Sequence, residues 1–123
     1  MKILIDTHIF LWAISKPELL SAAQTDALQN PYNQIYVSAM SITEIIIKAS
    51  IGKLALDYDP VEIAQQSGFN LLDYRAADAH VLQSLPLHHK DPFDRMLIAQ
   101  AKAQQMVIMS NDGLFKLYEC VLI

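Results

Sequence analysis

The chain has 123 residues, a net charge of −4, a pI near 5.4, a hydrophobic share of 53% and a mean hydropathy of +0.23. This is one domain. Its acidity excludes a protein that coats nucleic acid by bulk positive charge, and its single cysteine, Cys120, excludes an internal disulfide and fits a reducing compartment.

The opening Met1-Lys2-Ile3-Leu4-Ile5 is interrupted by Asp6 and His8, with no small-residue cleavage site after it, so it reads as a buried strand over Ile3–Ile5 rather than a signal peptide. A helix follows over Ile9–Ile14, closed by Lys16-Pro17, and a second runs from Leu20 to Gln29, ended by Asn30-Pro31. Ile35-Tyr36-Val37 reads as a strand, and Ser41–Ser50 as a helix stopped by Gly52. Asp59-Pro60-x-Glu62 is a helix-start signature, opening a helix to Gly68. A short strand over Phe69–Leu72 and a helix over Arg75–Gln83 come next. Asp91-Pro92-Phe93-Asp94 repeats the helix start, for a helix to Gln104. Met106–Met109 is a strand, and Val121–Ile123 a last one, with Cys120 as a core thiol. No stretch is long enough to span a bilayer, and a cytoplasmic protein is expected. Strands alternating with helices give an α/β fold with a parallel, doubly wound sheet.

In such a sheet ligands bind beyond the carboxyl ends of the strands. Asp6 directly follows the first strand, and Asp112 lies just after Met106–Met109. Glu44 and Asp94 fall in the first turns of helices that begin at the same edge. Four carboxylates are thus expected to converge on one rim, where they repel unless protonated or neutralised by a cation. Mg²⁺ or Mn²⁺ prefers such oxygen ligands and can generate a hydroxide for phosphodiester displacement.

Each acid also has a plainer reading. Asp6 can cap the next helix. Glu44 can form a surface pair with Lys48, although Met40, Ile47 and Ile51 flank it on a helical wheel, opposite Ile42, Ile45, Ile46 and Ala49. Asp94 can complete a capping box begun by Asp91, yet it shares a face with Leu97, Ile98 and Ala101. Asp112 sits in Ser110-Asn111-Asp112-Gly113, which is ordinary turn chemistry. Asp91 is read as a cap, and Asp57, Asp59, Asp73 and Asp78 as loop, cap and surface acids. His88-His89-x-Asp91 lacks zinc-site spacing. His8 packs or hydrogen-bonds at the rim, and Trp12, with Phe10 and Leu11, belongs to core or interface.

Together, Ile5-Asp6-Thr7-His8-Ile9-Phe10-Leu11-Trp12, Ser41-x-x-Glu44, His89-x-Asp91-Pro92-Phe93-Asp94-Arg95-x-Leu97-Ile98-Ala99-Gln100-Ala101 and Ser110-x-Asp112 resemble the PIN domain, and more closely the VapC toxins of toxin–antitoxin pairs. The resemblance covers nearly the whole of residues 1–123 as a single domain. It implies a three-layer α/β/α sandwich with a central, mainly parallel sheet, and a metal-dependent endoribonuclease using Mg²⁺ or Mn²⁺. It assigns Asp6, Glu44 and Asp94 as the core acids and Asp112 as the fourth, with Ser110 orienting a metal-bound water. It also implies an RNA substrate, a homodimer and a cognate antitoxin. Lys48, Lys53, Lys90, Arg95 and Lys116 are the candidate RNA contacts. The alternative is a PIN-like or receiver-like α/β module that binds RNA or a protein without catalysis. A receiver would need an early acid pair and a late post-strand Lys, whereas Asp6 is alone and Asp112 holds the late position. A nucleotide-binding module would need a glycine-rich loop after Ile3–Ile5, and none follows.

Overall fold

The computed structural model describes residues 1–87, 90–118 and 123. In chain order the elements are β1 (Lys2–Ile5), α1 (Thr7–Ser15), α2 (Ala22–Gln29), β2 (Gln34–Ser38), α3 (Ala39–Ser50), α4 (Pro60–Gln66), β3 (Asn70–Leu72), α5 (Ala76–His80), α6 (Pro92–Gln104) and β4 (Val107–Met109). Short 3₁₀ turns cover Pro17–Leu19, Val81–Ser84 and Gly113–Tyr118. The four strands form one sheet in the order β3-β2-β1-β4, with every pairing parallel. Register places Ile3 beside Ile35 and Val107, and Ile5 beside Val37 and Met109.

The side-chain period of two along each strand divides the core into two layers. Ile3, Ile5, Ile35, Val37 and Met109 face one side and pack with Ile9 and Phe10 of α1, Ile42 and Ile45 of α3 and Ala64 of α4. Leu4 and Ile108 face the other side, against Leu97, Ile98 and Ala101 of α6 and Phe115 and Tyr118 of the last turn. Both faces of the sheet are covered, giving the expected three-layer α/β/α sandwich.

Local capping sets the helix starts. Asp6, Ser21, Ser38, Asp59 and Asp91 each accept a hydrogen bond from a backbone N–H of the helix they precede. Helix α1 therefore begins at Thr7, before the apolar run from Ile9 that suggested it, and α2 begins at Ala22 rather than Leu20. The helix expected over Arg75–Gln83 ends at His80 and tightens into the 3₁₀ turn Val81–Ser84. That turn stops before Leu85, which is extended because a proline disfavours helical geometry in the residue before it. Of the expected last strand, Val121 and Leu122 lie outside the described residues, as do Cys120 and the His88-His89 pair. The Ile123 amide does reach the sheet, donating to the Ile108 carbonyl at 3.1 Å. Among the described residues, no helix is long and apolar enough to cross a membrane.

Candidate active site

The chain winds from β1 through β2 to β3 on one side, then crosses back to place β4 on the other side of β1. The carboxyl ends of β1 and β4 are thus a switch point, where the connections diverge and a crevice opens. Asp6 directly follows β1, and Ser110 directly follows β4. The Asp6 amide donates to the Met109 carbonyl at 3.1 Å, extending the β1–β4 pairing to the rim.

Both Asp6 carboxylate oxygens are held. Oδ1 accepts from the Ile9 amide at 2.8 Å, the cap of α1, and Oδ2 accepts from the Ser110 hydroxyl at 2.6 Å. Ser110 Oγ in turn accepts from the Asp112 amide at 3.0 Å. Asp6 is only 4% exposed. Burial pushes its pKa above the usual value and the charge of Asp112 adds to that, against the opposing bonds from Ser110 and Ile9 and the charge of His8. Asp6 is therefore a helix cap and a buried carboxylate at the rim at once. Asp112 also performs its turn role, with its side chain accepting from the Leu114 amide at 2.9 Å.

The second acidic group begins one residue on. Thr7, in the first turn of α1, donates to Glu44 Oε1 at 2.7 Å and lies 3.0 Å from Ser41 Oγ. An ionised carboxylate only accepts, so the Thr7 proton goes to Glu44 and the Ser41 hydroxyl is free to donate to Thr7. Glu44 Oε2 accepts from the Lys48 ammonium at 2.7 Å. Expectation needs correcting here. Ile46, Ile47 and Ile51 are exposed, and the buried stripe of α3 is Ser41, Ile42, Glu44 and Ile45. Glu44 is buried and does form the expected pair with Lys48, with Thr7 as a second partner because Ser41 and Glu44 face α1. Lys48 is not a free RNA contact. It is bound at the acidic rim, where Glu44, Asp91 and Asp94 together raise its pKa, with the Glu44 bond the largest influence.

Asp91 caps α6 as expected, accepting from the Phe93 and Asp94 amides at 2.9 and 3.3 Å, which fixes Asp94 in the first turn at the rim. Asp94 is half-buried there. The four predicted acids thus fall into two neighbouring groups, Asp6 with Asp112 and Glu44 with Asp94 across Lys48, joined through the adjacent residues Asp6 and Thr7. Among the described residues, no three acidic, histidine or cysteine side chains form a ready-made metal cage. The donor set nevertheless fits a hard divalent cation, being carboxylate and hydroxyl oxygens throughout. Beside Asp112 a polar groove of about 360 Å³ is lined by Gln24, Ser110, Asn111 and Lys116.

His8 is exposed, with its ring 6.3 Å from that of Trp12. Asp57, Asp59 and Asp73 are exposed as expected. Asp78 is not a surface acid. It is fully buried, accepting from the Arg75 guanidinium at 2.8 Å, the Arg75 amide at 2.9 Å and the Gln104 amide at 3.1 Å. Burial alone would raise its pKa, but these bonds outweigh it and hold the carboxyl below its usual value. Thr7 was also missed as a site residue. The available signal was a hydroxyl directly beside Asp6, ahead of the apolar run Ile9–Ile14.

The fold is shared with known proteins. Among solved structures, the chain is similar to a VapBC2 complex of Rickettsia felis bound to a promoter DNA fragment (TM-score 0.76, 18% identity, covering 100% of this chain and 98% of that one). It is also similar to a DNA-bound VapBC of Salmonella typhimurium (TM-score 0.74, 16% identity, 100% and 97%) and to FitAcB of Neisseria gonorrhoeae (TM-score 0.64, 19% identity, 98% and 96%). At such identities the likeness is one of fold. A comparison with curated protein sequences gave no match. The PIN domain family model, however, matches residues 3–119, which include all of the sheet but Lys2 and each of the four acids Asp6, Glu44, Asp94 and Asp112. The chain belongs to the PIN domain family.

Proposed function

We propose that this protein is a divalent-metal-dependent endoribonuclease acting as the toxin of a toxin–antitoxin pair. The observation that carries the reading is the buried Asp6 carboxylate, positioned through both oxygens at the switch point of a PIN fold, with Asp112, Glu44 and Asp94 on the same rim. Asp6, Glu44, Asp94 and Asp112 would hold Mg²⁺ or Mn²⁺. Such an ion, when bound, lowers the pKa of a coordinated water and offsets the charge of the scissile phosphate. The chain's own groups supply the positioning. Ser110 fixes Asp6, Thr7 fixes Glu44, and the Asp91 cap fixes the start of the helix bearing Asp94. In the groove beside Asp112, buried Gln24 holds the Asn111 side-chain oxygen, and Asn111 and Lys116 offer an amide and a cation to an RNA backbone.

The solved relatives are toxin–antitoxin complexes, and a cognate antitoxin is the corresponding partner here. Exposed Ile46 and Ile47 on α3, with Ile51 just after it, support an apolar partner surface, in a homodimer or against the antitoxin. The test is cleavage of a structured RNA by the purified chain with MgCl₂ or MnCl₂, and by Asp6→Asn and Asp94→Asn. Loss of at least about 100-fold in rate in either variant supports the reading, as removal of a metal's ligand costs orders of magnitude. Undiminished cleavage by both variants refutes it. One observation favours the alternative, binding without catalysis: the Lys48 ammonium occupies Glu44 Oε2 at 2.7 Å. RNA binding with no cleavage in either metal would establish that alternative.

A further inference from the structure

We propose that Lys48 is a built-in counter-cation of the acidic rim, holding Glu44 and facing Asp91 and Asp94 in the metal-free protein, and that a divalent cation must displace it in order to bind. The inference rests on the metal-dependent reading above and adds a competitor to it.

The geometry is asymmetric. Glu44 and Lys48 lie one helical turn apart on α3, with Lys48 Nζ 2.7 Å from Oε2 and side-chain exposures of 4% for Glu44 and 41% for Lys48. A carboxylate so far removed from water needs a partner, and a pair with one buried member is screened less than a surface pair. Glu44 offers two oxygens. Oε1 is held by Thr7, itself buried and braced against buried Ser41, so that side is fixed. Oε2 is held by an ammonium on a flexible four-carbon stem whose head reaches solvent. The side that can yield is therefore the Lys48 side. An ammonium and a divalent ion cannot share Oε2 at contact distance without strong repulsion. The raised pKa of Lys48 is consistent with this setting, as the acids of two helices act on it. The rim is then a set of acids whose charge is already partly balanced, and metal binding is an exchange of cations.

The test uses MnCl₂ titrations followed by calorimetry, together with melting curves, on the wild type, Lys48→Met and Lys48→Arg. Lys48→Met keeps the stem and removes the charge. It should bind Mn²⁺ about three- to tenfold more tightly, melt lower than wild type without metal, and recover most of that gap at saturating MnCl₂. Linkage ties the two readouts, since a tenfold ratio in affinity must close about 1.4 kcal/mol of the stability difference. Lys48→Arg, which keeps the charge, should stay within about twofold of wild-type affinity. If Lys48→Met is unfolded without metal, refolding on addition of MnCl₂ is the supporting result and failure to refold the overturning one. Equal affinities, with a melting gap that MnCl₂ leaves unchanged, would make Lys48 a structural salt bridge only and overturn the proposal while metal binding stands. Absence of Mn²⁺ binding by wild type and variant alike would overturn both.

Discussion

Replacing Asp6 by Asn and by Ala separates the two duties of this carboxylate. Either change removes the buried charge, so the cost of burying it cancels in a comparison of the two variants. Asn keeps an oxygen for the Ile9 amide, and Asn caps helices about as well as Asp. Its Nδ2 can donate to Ser110 Oγ, which also accepts from Asp112. Ala keeps neither bond. Loss of the cap costs about 1 kcal/mol, and loss of the second bond, the one made to Ser110 Oγ, costs about 1 kcal/mol more. Asp6→Ala should therefore be about 2 kcal/mol less stable than Asp6→Asn, which for a chain of 123 residues is about 8 °C in Tm. Scanning calorimetry in excess chelator at pH 7 measures the difference, and both variants should lack RNA cleavage. Equal melting temperatures would refute the double hydrogen bonding of Asp6, and with it the argument that the cap pre-positions the rim.

Thr7→Val removes the Oε1 donor of a buried Glu44 without changing side-chain volume much, and should cost about 2 kcal/mol in chemical denaturation; a cost near zero would show that Thr7 does not brace Glu44. Asp78→Asn should cost about 2 kcal/mol at pH 7, since it weakens the bonds to Arg75 and Gln104. Because the folded pKa of Asp78 lies below its unfolded value, the wild-type advantage is present above about pH 4 and disappears as pH falls through the folded value; a gap that persists undiminished at pH 2 would contradict the assignment. Asp91→Asn should retain cleavage and the stabilisation by MnCl₂, whereas Asp94→Asn should lose both, with melting shifts as the readout. The reverse pattern would exchange the roles of cap and ligand.

The parallel sheet was legible because Ile3–Ile5, Ile35–Val37 and Met106–Met109 are short apolar runs separated by helical periods, and a strand buried on both faces has that composition. Asp59 and Asp91 were legible as caps because a proline follows each. The N-terminal bounds of α1 and α2 were not: Thr7 and His8 carry no apolar periodicity yet enter α1 through the Asp6 cap, and Leu20 and Ser21, expected inside α2, lie before it because Ser21 is its cap. For the site, chain order alone put Asp6 and Asp112 at one edge. The pairings Thr7–Glu44 and Ser110–Asp6 join residues far apart in sequence and depend on the docking of α1 on α3 and of β4 on β1. Asp78 illustrates the limit most plainly. Asp78 was grouped with the loop, cap and surface acids, and only the packing of α5 on α6 brings Gln104 over its carboxylate and excludes water from it.

The bond between Ser110 and Asp6 spans 104 positions, and it has a consequence for the order in which the protein becomes competent. During synthesis, β1, β2 and β3 emerge first and can pair in sequence, leaving one edge of β1 open. That edge closes only when β4 arrives, a late and long-range docking of the kind that slows folding. Until then Asp6 has its helix cap but neither the Met109 carbonyl for its amide nor the Ser110 hydroxyl for its second oxygen. A nascent chain that has reached Gln104 thus already carries Asp6, Glu44 and Asp94, yet the carboxylate at the switch point is still held on one side only.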